Sequence, residues 1–137
     1  MSHPVLDILD AIEAQLTAAG LTVIRNQLRP AESVPAVTIR MGSDDVEVSS
    51  IQHDDRRLEV ITDILVSPSI KDDLDSQTLG VRHKLEQTLL PHGALGVGHV
   101  LVVESPTQLE PNYQGDGERP LGMTTLSWPV KYRYRHP

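Results

Sequence analysis

From Leu126 to Tyr134 every second residue is aliphatic or aromatic: Leu126, Trp128, Val130, Tyr132 and Tyr134 alternate with Ser127, Pro129, Lys131 and Arg133. A period of two sends alternate side chains to opposite faces of an extended chain, so this segment is a strand with one buried face. The constraint is strong because bulky side chains are scarce here. The chain has one Trp, three Tyr and no Phe, and three of those four aromatics lie in this strand, leaving Val, Leu and Ile to fill the rest of the core. Pro129 cannot donate to a ladder and predicts that the strand lies at an edge or carries a bulge.

The rest of the pattern is built around that strand. Val5, Leu9, Ile12, Leu16 and Ala19 recur at steps of four and three, the stripe of a helix lying on a core. Pro4 suits its first turn and Gly20 its end. Leu21 to Asn26 reads as a short strand. Beyond the turn-rich Arg29 to Pro35, Val37, Ile39 and Met41 alternate with Thr38 and Arg40, and Val46 and Val48 with Glu47 and Ser49. The intervening Gly42-Ser43-Asp44-Asp45 predicts a hairpin turn, followed by a charged tip at residues 53–57. Leu58 to Val66 is largely apolar on both alternating sets, as expected of a central strand.

Leu74, Thr78, Val81, Leu85 and Leu89 mark a second helix, with Gly80 a weak point of about 1 kcal/mol relative to alanine. Val100 to Val103 is a further short strand. Residues 104–120 form a polar insert with prolines and glycines before the final strand. The expectation is one α+β domain spanning 1–137, with two helices on one face of a mostly antiparallel, mixed sheet, in the order α-β-β-β-β-α-β-β.

Several functions are disfavoured by what the chain lacks. Without cysteine there is no disulfide framework, zinc ribbon or thiol chemistry. No apolar run approaches the roughly 18 residues a membrane-spanning helix needs, and no signal-peptide core follows Met1, so no membrane role is expected and the chain reads as soluble and intracellular. With 19 acidic against 12 basic residues the net charge is −7, a poor match to duplex DNA. His3, His53, His83, His92, His99 and His136 have no metal-ligand spacing. Asp72, Asp73 and Asp75 sit where carboxylates favour a helix start, and Gly93, Gly96 and Gly98 follow a helix rather than open one. The expectation is therefore a protein that is not an enzyme and uses no cofactor or metal. The rival in that class is a metal-dependent nuclease drawing on Asp54, Glu59 and Asp63, which no lysine accompanies on the same strand.

The charges that remain point to assembly. Lys131, Arg133 and Arg135 place three cations on the face of the last strand opposite its aromatics, and the insert carries Glu104, Glu110, Asp116 and Glu118. Complementary patches on one chain permit head-to-tail association, which closes into a ring where the rotation allows. Arg56 and Arg57 join the candidate interface as part of the charged tip. Asp44, Asp45, Asp54 and Asp55 are expected at turns.

The helix, the strand entered through Leu28-Arg29-Pro30-Ala31-Glu32-Ser33-Val34-Pro35-Ala36-Val37, the strand introduced by Arg56-Arg57-Leu58-Glu59-Val60, and the terminal Leu126-Ser127-Trp128-Pro129-Val130-Lys131-Tyr132 together resemble the tail terminator proteins of long-tailed bacteriophages, the family of minor tail protein U. Asn112-Tyr113-Gln114-Gly115-Asp116-Gly117-Glu118 resembles the loop those proteins carry before the last strand. The resemblance implies a virion structural protein, made in the host cytoplasm and located at the neck-proximal end of the tail. It implies a hexameric homo-oligomer that caps the tail tube, ends its polymerisation and offers a surface to the head-tail connector. DNA would pass through its lumen unbound, with Asp44, Asp45, Asp54 and Asp55 as candidate lumen carboxylates repelling phosphate. Sheet edges or the charged strand would join neighbours, and a head-completion or connector adaptor is the neighbouring alternative.

Overall fold

The computed structural model describes residues 3–25, 36–66, 74–91, 93, 95–109, 112–114 and 121–136. In chain order the elements are α1 (Pro4–Ala18), β1 (Val23–Arg25), β2 (Ala36–Ser49), β3 (His53–Val66), α2 (Leu74–Leu89), β4 (Val100–Val103), β5 (Thr107–Gln108), β6 (Asn112–Gln114) and β7 (Leu121–Arg135). The fold is α+β, two helices with one mixed seven-stranded sheet of order β1-β2-β3-β7-β4, in which β5 and β6 also pair with β7. Among the described residues only β1 and β2 run parallel; the other pairings are antiparallel.

Helix α1 forms as its periodicity dictates. Pro4 lies in its first turn and the His3 ring nitrogen accepts the Val5 N–H at 3.1 Å, filling one of the donors a helix start leaves unpaired. Gly20 ends it at φ 89°, a conformation that costs glycine little. Val5, Ile8, Leu9, Ile12 and Leu16 are buried, each contributing about 1.5–3 kcal/mol by leaving water. Ile8 widens the expected stripe, whereas Ala19 is exposed at the C-cap. Val81, Leu85 and Leu89 of α2 enter the same core.

Strand β3 is central, between β2 and β7, and from Val60 to Val66 every residue on both of its faces is buried. Register defines two faces. Leu58, Val60, Thr62 and Ile64 stand beside Val130, Trp128, Leu126 and Thr124 and, with Val37 and Ile39 across the other ladder, turn toward the helices. On the opposite face Thr38, Asp63 and Thr125 form one row, and Arg40, Ile61 and Ser127 another.

Three local expectations change. Residues 42–45 are no turn: β2 runs unbroken from Ala36 to Ser49, with a register irregularity between Met41 and Asp44. A Cβ on Gly42 would stand 3.0 Å from Ile61 Cδ1 and 3.1 Å from Glu59 Oε2, so glycine leaves room for those two side chains beside the bulge. The reversal comes later, where Ser50 N–H bonds the His53 carbonyl at 2.9 Å, and residues 53–57 belong to β3 rather than to a tip. Asp44 and Asp45 therefore sit within a strand, and Asp54 and Asp55 at the start of one. Secondly, Pro129 does not place β7 at an edge. Its carbonyl accepts from Glu104 N–H at 2.8 Å, so its own missing donor falls on that side, in the gap between the β4 and β5 ladders where nothing requires it. Thirdly, the described parts of the insert are partly ordered as strands, Thr107 and Gln108 pairing with Ser127 and Leu126, and Asn112 to Gln114 with Met123 to Leu121.

Candidate functional site: a charged sheet end

The outer ends of β2, β3 and β7 extend together, and there the ionisable residues gather. On the helix side, Tyr132 is wholly buried and its hydroxyl donates to Asp44, 2.8 Å from each carboxylate oxygen. Burial, followed by the neighbouring Asp44 carboxylate, pushes the phenol up to about 12. Asp54, although only 6% exposed, accepts from Arg56 at 2.9 Å and from Ser49 at 2.8 Å, with His136 3.0 Å away. Arg56 and then Ser49 hold its carboxyl below the usual range. The Arg56 guanidinium also lies 4.2 Å over the Tyr134 ring, and His3 stacks on the same ring at 5.4 Å. Histidine thus ties both ends of the chain into this cluster; no spacing rule for metal ligands would find that role.

On the opposite face the three cations of β7 have different fates. Arg133 pairs with Asp55 through Nε at 2.8 Å, which raises the guanidinium and depresses the carboxylate. Lys131 lies 3.5 Å from Glu104 and 3.9 Å from Glu47 of its own chain. Exposed pairs of this kind contribute about 0–1 kcal/mol, but they cancel charge that a neighbour would otherwise meet. Arg135 is exposed, and it and Arg57 have no ion-pair partner among the described residues. Lys131 and Arg133 are therefore not the free cationic patch expected. Glu110, Asp116 and Glu118 lie outside the described residues.

The candidate lumen carboxylates divide similarly. Asp54 and Asp55 are each matched by an arginine, whereas Asp44 and Asp45 have no cation at contact among the described residues. Further along the sheet, Asp63 accepts from Thr38 at 2.8 Å and Thr125 at 2.7 Å, and Glu59 from Ser127 at 2.5 Å and Ser43 at 3.2 Å. Ser127 chiefly keeps the Glu59 carboxyl below its usual value. Odd and even positions of β3 face oppositely, so Asp54 points away from Glu59 and Asp63, and the three do not converge. Among the described residues no group of three His, Asp or Glu is placed to hold a metal, and no helix is long and apolar enough to cross a membrane.

The fold itself has known counterparts. It superposes on a chain from the virion of a native gene transfer agent (GTA) particle with a TM-score of 0.55, covering 93% of this chain and 95% of that one at 10% identity. No protein-family model and no curated protein matches the sequence.

Proposed function

We propose that this chain is a structural protein of a phage-like virion and, within it, the tail terminator: a ring, hexameric by resemblance, that caps the tail tube, stops its growth and presents a surface to the head-tail connector. The observation that carries this reading is the end-to-end fold match to a virion chain, which agrees with the resemblance in the sequence. Shape rather than catalysis would then supply the biological effect. The sheet end described above offers an oligomerising surface, and Asp45, exposed, with no cation at contact among the described residues and on the face opposite the Asp44–Tyr132 bond, is the lumen carboxylate best able to repel DNA.

Polymerising tail-tube subunits with and without the protein tests the reading. In electron micrographs, short tubes capped at one end by a ring support it; tubes of unchanged length with bare ends overturn it. A label seen between portal and connector, rather than on the tube, would favour the connector adaptor instead. Incubation with DNA and magnesium tests the nuclease alternative, which intact DNA would dismiss.

A further inference from the structure

Among the described residues the sheet leaves two strand edges open, at opposite ends of its path. Strand β1 covers β2 only from Val37 to Ile39, so among the described residues Arg40–Ser49 has no partner on the side away from β3. At the other end β4 pairs with β7 and has no described neighbour beyond it. Following the ladders across, Asp44 is level with Leu58, Val130 and Val103; Asp45 with Arg57, Lys131 and Val102; and Val46 with Arg56, Tyr132 and Val100. The two free edges thus lie at the same height. Three antiparallel steps separate them, so β2 and β4 run in opposite directions.

From this geometry we infer that the β4 edge of one copy receives the Asp44–Ser49 arm of β2 from the next, the same sheet continuing from copy to copy; this rests on the ring proposed above and names the contact that closes it. A second copy turned about an axis along the strands, without inversion or sliding, brings an antiparallel partner to the open β4 edge. That is the heterologous geometry a ring requires.

The side chains agree. Val100-Leu101-Val102-Val103 has no charge or proline, the usual guards of an exposed edge, and Leu101 and Val102 are 42% and 41% exposed. Val46 and Val48 on the arm are 51% and 59% exposed, on opposite faces of the strand. Beside β4 an apolar groove of about 140 Å³, lined by Leu90, Leu95, Val97 and Leu101, lies where a neighbour's Val46 would enter. Charge fits as well: the arm carries Asp44, Asp45 and Glu47, and this chain of net charge −7 has no acidic residue between Glu86 and Glu104.

The chain contains no cysteine, so introduced thiols report only this contact. Asp45→Cys and Val102→Cys would be cross-strand neighbours on one face, at a separation a disulfide spans. Val48→Cys on the same face covers a small stagger. Under mild oxidation each single variant should remain a monomer on a non-reducing gel, a mixture of Val102→Cys with either arm variant should give dimer, and the double variant Asp45→Cys/Val102→Cys should give a ladder ending at the ring. Dimer from Val102→Cys alone would mean a symmetric β4 contact and overturn the inference. Oligomers by native mass with no cross-link in either mixture would overturn it too, while leaving the ring; failure of the unsubstituted protein to cap tubes would count against the ring function independently.

Discussion

The hydroxyl of Tyr132 lies 2.8 Å from both carboxylate oxygens of Asp44, joining β7 to the bulged part of β2 across 88 residues of chain. The bond passes over β3, so it fastens β2 and β7 to each other at the extended sheet end, on the face that carries the helices. A hydrogen bond to a charged partner contributes about 1.5–3 kcal/mol. Tyr132→Phe should lower stability by about that amount, and Asp44→Asn by less, because an amide oxygen still accepts. Urea unfolding reads both as a lower midpoint at unchanged slope.

The same pair sets an alkaline limit. Tyr132 titrates near 10.0 when unfolded and near 12 when folded, so between those values the unfolded chain binds fewer protons. Its contribution is fully present below pH 10 and is lost as pH rises toward 12. Spectrophotometric titration should show a tyrosine ionising near 12 in the native protein, and Tyr132→Phe should remove that step.

On the acid side the sign reverses. Glu59, held down by Ser127 and then Ser43, and Asp54, held down by Arg56 and then Ser49, have folded values below 4.5 and 3.8. Their contribution is complete above those unfolded values and disappears as pH falls through the folded ones. Stability should therefore decline below about pH 4.5, and Glu59→Gln should make the decline shallower in unfolding midpoints measured from pH 6 to 2.

In the core, Trp128 is fully buried and its indole N–H donates to Thr62 at 2.9 Å. Thr62→Val keeps the volume and orphans the N–H, which should cost about 1–3 kcal/mol. Trp128→Ala should cost about 3–5 kcal/mol by leaving a cavity between sheet and helices. Thermal unfolding of both variants checks the order: a smaller loss for Trp128→Ala than for Thr62→Val would contradict the packing described.

Much of this architecture is legible along the chain. The stripe of α1 with Pro4 and Gly20 at its ends, the two largely apolar sets of β3 and the alternation of β7 follow from backbone periods of 3.6 and 2. Each depends on residues a few positions apart, and burial then selects the face. Gly42 misled because glycine serves a bulge as readily as a turn. Only pairing between β2 and β3 distinguishes the two, and it shows Asp44 opposite Leu58 where a turn would have no partner.

The charges show the other side of that division. Sequence alone determined that Lys131, Arg133 and Arg135 oppose the aromatics of β7, since alternation requires it. Tertiary structure decided that Arg133 meets Asp55 and Lys131 meets Glu104 and Glu47, and that the open edges of β2 and β4 stand level. Those facts depend on register between strands distant in the chain, where a slip of one residue would turn every side chain to the other face. Local spacing carries no record of that choice; the packed sheet makes it.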